Sequence, residues 1–395
     1  MIMDTRLSFV FPGHTSVFFG EGQLNTLHTL AMPGRKALVV ISNGKSTRAN
    51  GYLDRTLAEL KQAGVASVVY DRIQANPTKD NVESGARLAN AEGCDFIVAL
   101  GGGSVMDAAK VMAINATNPG DLWQFAGGRT GQGKKPQHAP LPWIAITTTA
   151  GTGSEVDAAG VITNPETNEK LGIGDPRDFA VYAIVDPDLM MSVPPHFTAY
   201  QGFDALFHSL EGYVSNQSNL FSDMVQETAI RNVGKYLPIA YKDGGNKEAR
   251  ARMAFANTMS GYSMDTSACT AEHSIEHAMS AYHEKLPHGA GLIMISKAYF
   301  TAVINKHVCD DRFVNMARLL GKEDATHPED FITALVDLQK ACDVDQLKMS
   351  DYGITPDEFD AMATNAIEVM GGLVACDRQP LQHDEIVEIL KQSYK

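Results

Sequence analysis

The sequence predicts an α/β domain built on a parallel sheet with flanking helices, followed by an all-helical domain. Three observations predict it. Short β-rich apolar runs alternate with amphipathic stretches through the first half, the pattern of strands joined by crossover helices. The texture changes at Asp186-Pro187-Asp188, and Pro194-Pro195 closes the last strand-like run. From about Thr198 onward the apolar spacing is helical, in segments of roughly 12 to 20 residues broken at Gly244-Gly245, Pro287, Pro328 and Pro356. The boundary is set between 190 and 191.

The chain's 395 residues suit two domains, at a prior of about 150 residues each, and 44% hydrophobic content can fill both cores. In order, Ala37 to Ile41 reads as a strand, Tyr52 to Ala63 as a helix, Ala66 to Tyr70 as a strand and Asn81 to Ala91 as a helix. Asp95 to Leu100 and Trp143 to Ile146 are strands flanking a further helix, and Ala183 to Val185 ends the series.

Thirty-three Lys and Arg against 47 Asp and Glu give a net charge of −14. Nucleic acid and anionic membrane are therefore not expected as partners, since both need a basic patch. No apolar run reaches the length of about 20 residues that spans a bilayer, and Met1 to Arg6 lacks the apolar stretch of a secretory signal. A cytoplasmic protein is expected. Five scattered cysteines with no C-x-x-C indicate neither a disulfide framework nor a cysteine zinc site, so all five are read as reduced and structural.

Gly101-Gly102-Gly103-Ser104 follows a strand and opens a helix running through Asp107 and Lys110. Three glycines let backbone approach a diphosphate, and the helix N-terminus supplies free N–H groups. This is not the G-x-G-x-x-G fingerprint. Asp121, about 20 residues on, where that fingerprint places its ribose-binding acid, follows the turn Asn118-Pro119-Gly120 and is discounted. After the next strand, Thr147 to Glu155 carries Thr148, Thr149 and Thr152 among glycines and a serine. Two such loops at the carboxyl edge of a parallel sheet point to one nucleotide between them, which makes the first domain a dinucleotide-binding one.

The helical half clusters four of the chain's twelve histidines, His273, His277, His283 and His288. Asp204 and His208 stand four apart, as do His273 and His277, which places each pair on one helix face. Three imidazoles and a carboxylate suit Fe²⁺ or Zn²⁺ rather than Mg²⁺ or Ca²⁺. His288, between Pro287 and Gly289, is expected at a helix start, His283 at the surface, and Glu272 and Glu276 supporting the site from outside it or facing solvent. No G-x-S-x-G elbow or P-loop is present.

Together these segments resemble the iron-containing (group III) alcohol dehydrogenases. The strings run from Phe11-Pro12-Gly13-His14 and Phe19-Gly20-Glu21-Gly22 through Asn76-Pro77-Thr78, GGGSVMDAAK at 101 to 110, TTTAGTGSE at 147 to 155 and Asp186-Pro187-Asp188-Leu189. They continue with GFDALFHSLEGY at 202 to 213 and HSIEHAMSAYHEKLPHG at 273 to 289.

The resemblance implies a metal-dependent, NAD(P)-linked alcohol dehydrogenase or aldehyde reductase acting on a small alcohol or aldehyde, in a homodimer or higher homo-oligomer. It assigns Asp204, His208, His273 and His288 as ligands to Fe²⁺, or to Zn²⁺ in its place, although the stretch between the last two is one residue longer than the family's. His277 matches a non-ligand histidine near the substrate, suited to relay a proton. The cofactor residues implied are Asn43, Gly44, Ser46, Asn76, Gly101, Gly102, Gly103, Ser104, Asp107, Thr148, Thr149, Thr152, Lys170 and Leu189, with Leu189 packing near nicotinamide. Members restricted to NAD tend to carry an acid after the first domain's opening strand. Here the turn is Ser42-Asn43-Gly44-Lys45-Ser46, similar to the butanol-dehydrogenase-like branch that often uses NADP. Two rivals stand beside this reading, a dehydroquinate-synthase-like lyase and a non-catalytic nucleotide-binding scaffold. The lyase would need Lys and Arg around the metal, and residues 198–213 contain none.

Overall fold

A computed structural model describes residues 9–11 and 13–395. Met1 to Arg6 and Pro12 lie outside the described residues. The described chain divides into two compact units, one of residues 13–192 and one of residues 9–11 with 193–395.

The first unit contains eight strands: β1 Ser16–Phe19, β2 Lys36–Ser42, β3 Ala66–Ile73, β4 Phe96–Gly101, β5 Trp143–Thr147, β6 Ala159–Asn164, β7 Glu169–Gly174 and β8 Tyr182–Val185. Six of them form one parallel sheet in the order β1-β8-β5-β4-β2-β3. Its helices are α1 Ser46–Ala49, α2 Tyr52–Gln62, α3 Lys79–Glu92 and α4 Gly103–Thr117. Strands β4 and β5 are buried at every residue, which is why they read as continuous apolar runs without alternation. Helix α3 starts at a Thr78–Asn81 capping box and stops at Gly93, whose φ of 66° is left-handed.

The chain leaves β2 for β3 on one side and then crosses to β4 on the other. The sheet therefore reverses direction between β2 and β4, and in open parallel sheets ligands bind at the carboxyl ends flanking such a reversal. The loops after β2 and β4 are the ones that begin at Asn43 and Gly102.

Sequence reading did not anticipate β1 or the antiparallel hairpin of β6 and β7. The hairpin carries Gly160, Gly172 and Gly174 among charged residues, so its alternation is weak. It turns through Asn168, which has a φ of 51°.

The second unit is helical: α5 Pro195–Val214, α6 Leu220–Lys242, α7 Lys247–Thr266, α8 Ala271–Tyr282, α9 His288–Ile304, α10 Asp310–Leu319, α11 Asp330–Ala341, α12 Phe359–Val374 and α13 His383–Ser393. Gly244-Gly245 separates α6 from α7, Pro287 precedes α9, Pro328 precedes α11 and Pro356 opens the short turn before α12. Helix α5 is buried at every residue from Gly202 to Val214 and packs against α6, α7 and α9. Phe203 and Phe207 from α5 meet Phe300, Phe313 and Phe331 in an aromatic core. Among the described residues no helix is long and apolar enough to cross a membrane.

Candidate metal centre and nucleotide loops

In the first unit the candidate nucleotide loops sit at the carboxyl ends of adjacent strands. The two central loops interlock: Thr148 N–H donates to Gly101 O at 3.0 Å, a Cβ at Gly102 would stand 2.7 Å from Thr149 Oγ1, and one at Gly103 would stand 2.3 Å from Thr152 Cγ2. Glycine is needed here because the threonines of the second loop fill the space a side chain would occupy. Ser104 lies in the first turn of α4, whose N-terminal N–H groups point out of the sheet edge.

Asn43, Gly44 and Ser46 are exposed after β2, and Asn43 N–H donates to Ile73 O at 2.7 Å. Beside them is a cavity of about 370 Å³ lined by Ser42, Asn43, Gly44, Lys45, Arg48, Ala49 and Asp71. Arg48 pairs with Asp71 at 2.7 Å across this cavity; neither residue was singled out in sequence. Asn76, after β3, adopts a left-handed φ of 52°.

Three other candidates play visible packing roles. Asp107 accepts from Ser154 Oγ at 2.6 Å and from Val161 N–H at 3.1 Å, tying the second loop and β6 to α4. Burial pushes its carboxyl up to about 6, against the pull of nearby Lys110. Lys170 is buried on β7, and Leu189 is buried in the core cluster that includes Leu24 and Ile184. Lys110, fully buried, donates to Ser154 Oγ at 2.7 Å, Asp157 Oδ1 at 2.6 Å and Ala159 O at 2.9 Å. Its place in the GGGSVMDAAK string hides this role, because its ion partner is 47 residues away. Asp121, discounted in sequence as a ribose ligand, caps the turn at Trp123 N–H and pairs with Lys79 at 2.7 Å.

In the second unit α5, α8 and the start of α9 bring Asp204, His208, His273 and His288 together. Asp204 Oδ1 lies 3.5 Å from His208 Nδ1, 3.7 Å from His273 Nε2 and 3.5 Å from His288 Nε2. Ligands of a tetrahedral ion at 2.0–2.2 Å stand about 3.4 Å apart, and each of these three separations is close to that; ligand atoms of Asp204, His273 and His288 also lie within 4.8 Å of one another. Asp204 Oδ1 and His273 Nε2 are buried with no hydrogen-bond partner, a costly state unless something positive lies between them. Burial opposes the Asp204 charge, but the His208 and His288 imidazoles beside it, with His273 close by, hold its carboxyl well below the usual range.

Two buried carboxylates set the imidazoles. Glu211 Oε1 takes His273 Nδ1 and Glu276 Oε2 takes His288 Nδ1 in short hydrogen bonds. With Nδ1 engaged, each ring presents Nε2 inward, as metal-bound histidines do. Glu211 Oε2 also accepts from Thr270 N–H at 2.7 Å and Thr270 Oγ1 at 2.9 Å. Thr270 Oγ1 in turn meets Tyr299 Oη at 2.7 Å, and Tyr299 donates to Asp377 at 2.7 Å.

Glu211 was missed in sequence, although Asp204, His208 and Glu211 at i, i+4 and i+7 form one helix stripe. Glu276 proves to support the site, and neither it nor Glu272 faces solvent, since both are fully buried. His277 is buried with its ring centroid 5.4 Å from that of His288. It forms, with Glu276 and His288, another metal-capable group. His283, expected at the surface, is half-buried and bonds Glu358 at 3.0 Å.

Comparison with known proteins fits this geometry. Residues 14–187 match the profile of iron-containing alcohol dehydrogenase, and residues 198–394 match the C-terminal profile of the same family. The 1,3-propanediol dehydrogenase of Klebsiella pneumoniae is 31% identical over 388 residues, covering 95% of this chain and 96% of that protein. NADH-dependent butanol dehydrogenase A of Clostridium acetobutylicum is 29% identical over 400 residues, 98% of this chain and 100% of that protein. An archaeal alcohol dehydrogenase from a Red Sea brine pool superposes with a TM-score of 0.93 at 32% identity, covering 100% of both chains. The chain belongs to the iron-containing alcohol dehydrogenase family and is an alcohol dehydrogenase of that type.

Proposed function

We propose that this enzyme interconverts a small alcohol and its aldehyde with NAD(P), using one divalent ion, Fe²⁺ first and Zn²⁺ as its substitute, at Asp204, His208, His273 and His288. The observation that carries the reading is the convergence of three imidazole nitrogens on Asp204 Oδ1 at 3.5–3.7 Å. When bound, the ion supplies Lewis acidity that lowers an alcohol's pKa and polarises a carbonyl. Asp204 contributes the single negative charge, while Glu211 and Glu276 keep His273 and His288 in the tautomer whose Nε2 can ligate. His277 is the group we assign to pass the substrate's proton onward.

Gly101 to Ser104 and Thr148 to Thr152 hold the cofactor diphosphate on backbone N–H groups and hydroxyls, Asp107 keeps the two loops in register, and Asn43, Gly44, Ser46 and Asn76 line the ribose side. Lys170 and Leu189 belong to the same cofactor set, Leu189 as a packing residue near nicotinamide. The exposed Lys45 and Ser46 offer a 2′-phosphate donors where no carboxylate follows β2 directly, and Asp71, which lines the same cavity, is paired with Arg48. NADPH is therefore accepted as well as NADH. Neither α5 nor α8 contains a Lys or Arg, which favours a small uncharged substrate over the polyanion a lyase of the related fold would bind. Action in the cytoplasm, as a homodimer or higher homo-oligomer, is part of the same proposal.

The test is oxidation of NADH and NADPH with short aldehydes and ketones by enzyme reconstituted with Fe²⁺ or Zn²⁺. Turnover with at least one aldehyde and dependence on added metal are expected. Metal-independent turnover would overturn the site, and absence of any NADPH oxidation would overturn the cofactor reading.

A further inference from the structure

The metal centre has a neighbour that the four-ligand reading leaves unused. His208, Cys269 and His273 form a second constellation, in which one ligand atom from each lies within 4.8 Å of the others and all three residues are buried. Cys269 sits in the turn between α7 and α8, immediately before Thr270, whose N–H and Oγ1 donate to Glu211 at 2.7 and 2.9 Å. The same carboxylate takes His273 Nδ1 and, at 3.3 Å, His273 N–H. One buried anion thus anchors both the turn that carries the thiol and the helix that carries the imidazole.

His273 has Nδ1 committed to Glu211, so Nε2 is the atom it can give to an ion in either constellation. The two sets share His208 and His273, so the same two imidazoles can serve an ion with a choice of anionic ligand: the Asp204 oxygen or the Cys269 sulfur. The two ligands differ in softness. Carboxylate suits Fe²⁺, whereas thiolate favours Zn²⁺ and other softer ions. Coordination replaces the S–H bond by a sulfur–metal bond and releases the proton to solvent.

We propose that Cys269 is a recruitable sulfur ligand of the metal centre, which gives this enzyme a tighter grip on zinc-like ions than the Asp204 and histidine set alone provides. The proposal rests on the metal-centre reading above. Among the described residues no other cysteine joins a metal-capable group, so a thiolate signal at the centre has one source.

The experiment strips the full-length enzyme anaerobically, reloads it with Co²⁺ to one equivalent verified by elemental analysis, and records the electronic spectrum of the parent and of Cys269→Ser. The parent should show a near-ultraviolet sulfur-to-cobalt charge-transfer band beside its visible ligand-field bands. The variant should lose the former and keep the latter. Equilibration with equal Fe²⁺ and Zn²⁺ should also leave the variant with a bound zinc-to-iron ratio lower by about tenfold, the scale of a lost supporting ligand. Cys269→Ala should repeat both results, which covers the case in which a serine disturbs the buried turn. Absence of the charge-transfer band in cobalt-loaded parent, or its persistence in both variants, would overturn the proposal while leaving the metal centre standing. Failure of the parent to bind cobalt at all would overturn the metal centre as well.

Discussion

The two units build their sites from different materials. The α/β unit offers backbone: at Gly102 and Gly103 the threonines of the facing loop occupy the space a side chain would take. The helical unit offers side chains from three helices, two of them oriented by the Glu211 and Glu276 carboxylates on His273 and His288 Nδ1. The first kind of site is damaged by what a substitution adds, the second by what it removes. Each region should accordingly fail in its own observable, cofactor affinity in one and metal content in the other.

The largest separation is expected from His208→Ala. Bound metal should be lost and turnover should fall by at least about a thousandfold, while the dissociation constant for NAD(P)H, read by cofactor fluorescence, stays near the parent's. Loss of cofactor binding in this variant would break the division. A smaller effect should follow Glu211→Gln, which keeps the shape but weakens the partner of His273 Nδ1. Metal affinity should drop by roughly tenfold to a hundredfold, measured by competition with a chelator, again with little change in cofactor affinity.

Gly102→Val addresses the other unit. The added carbons strike Thr149 at the loop contact and stand where a phosphate approaches, so the Michaelis constant for cofactor should rise by about tenfold, the overpacking cost of roughly 1–3 kcal/mol. Metal content should remain stoichiometric.

The smallest effect concerns Asp107. Burial raises its carboxyl to about 6 in the folded chain, above the value near 3.9 of an unfolded one. Between these values the folded state binds more protons than the unfolded state. Its stability contribution is therefore present at the acidic end and lost as pH rises through about 6. Relative to Asp107→Asn, which cannot titrate, the parent should lose on the order of 1 kcal/mol between pH 4.5 and pH 7, followed by urea unfolding. Parallel pH profiles for the two proteins would show that burial does not act on this group as described.

The same contrast explains what could be read from sequence. Backbone sites are written as contiguous strings, so Gly101 to Ser104 and Thr148 to Thr152 were legible, as were the main strands whose burial makes them unbroken apolar runs. The helix-spaced pairs Asp204 with His208 and His273 with His277 were legible because a helix repeats every 3.6 residues. Partners far apart in sequence were not. Glu211 looks like an ordinary helix-surface acid until the fold buries it, and Lys110 looks solvated until Asp157 is brought to it. Arg48 and Asp71 meet only because β2 and β3 are neighbours in the sheet. The β6 and β7 hairpin escaped because its glycines and charges dilute the alternation on which strand recognition depends.

The central claim is that one ion sits on Asp204, His208, His273 and His288. Anomalous-difference diffraction at the iron edge, on crystals of the iron-loaded enzyme, tests it most directly. The account predicts a single peak bounded by Asp204 Oδ1, His273 Nε2, His288 Nε2 and a ring nitrogen of His208. A peak instead among Glu276, His277 and His288, the overlapping group on the other side of His288, would contradict it.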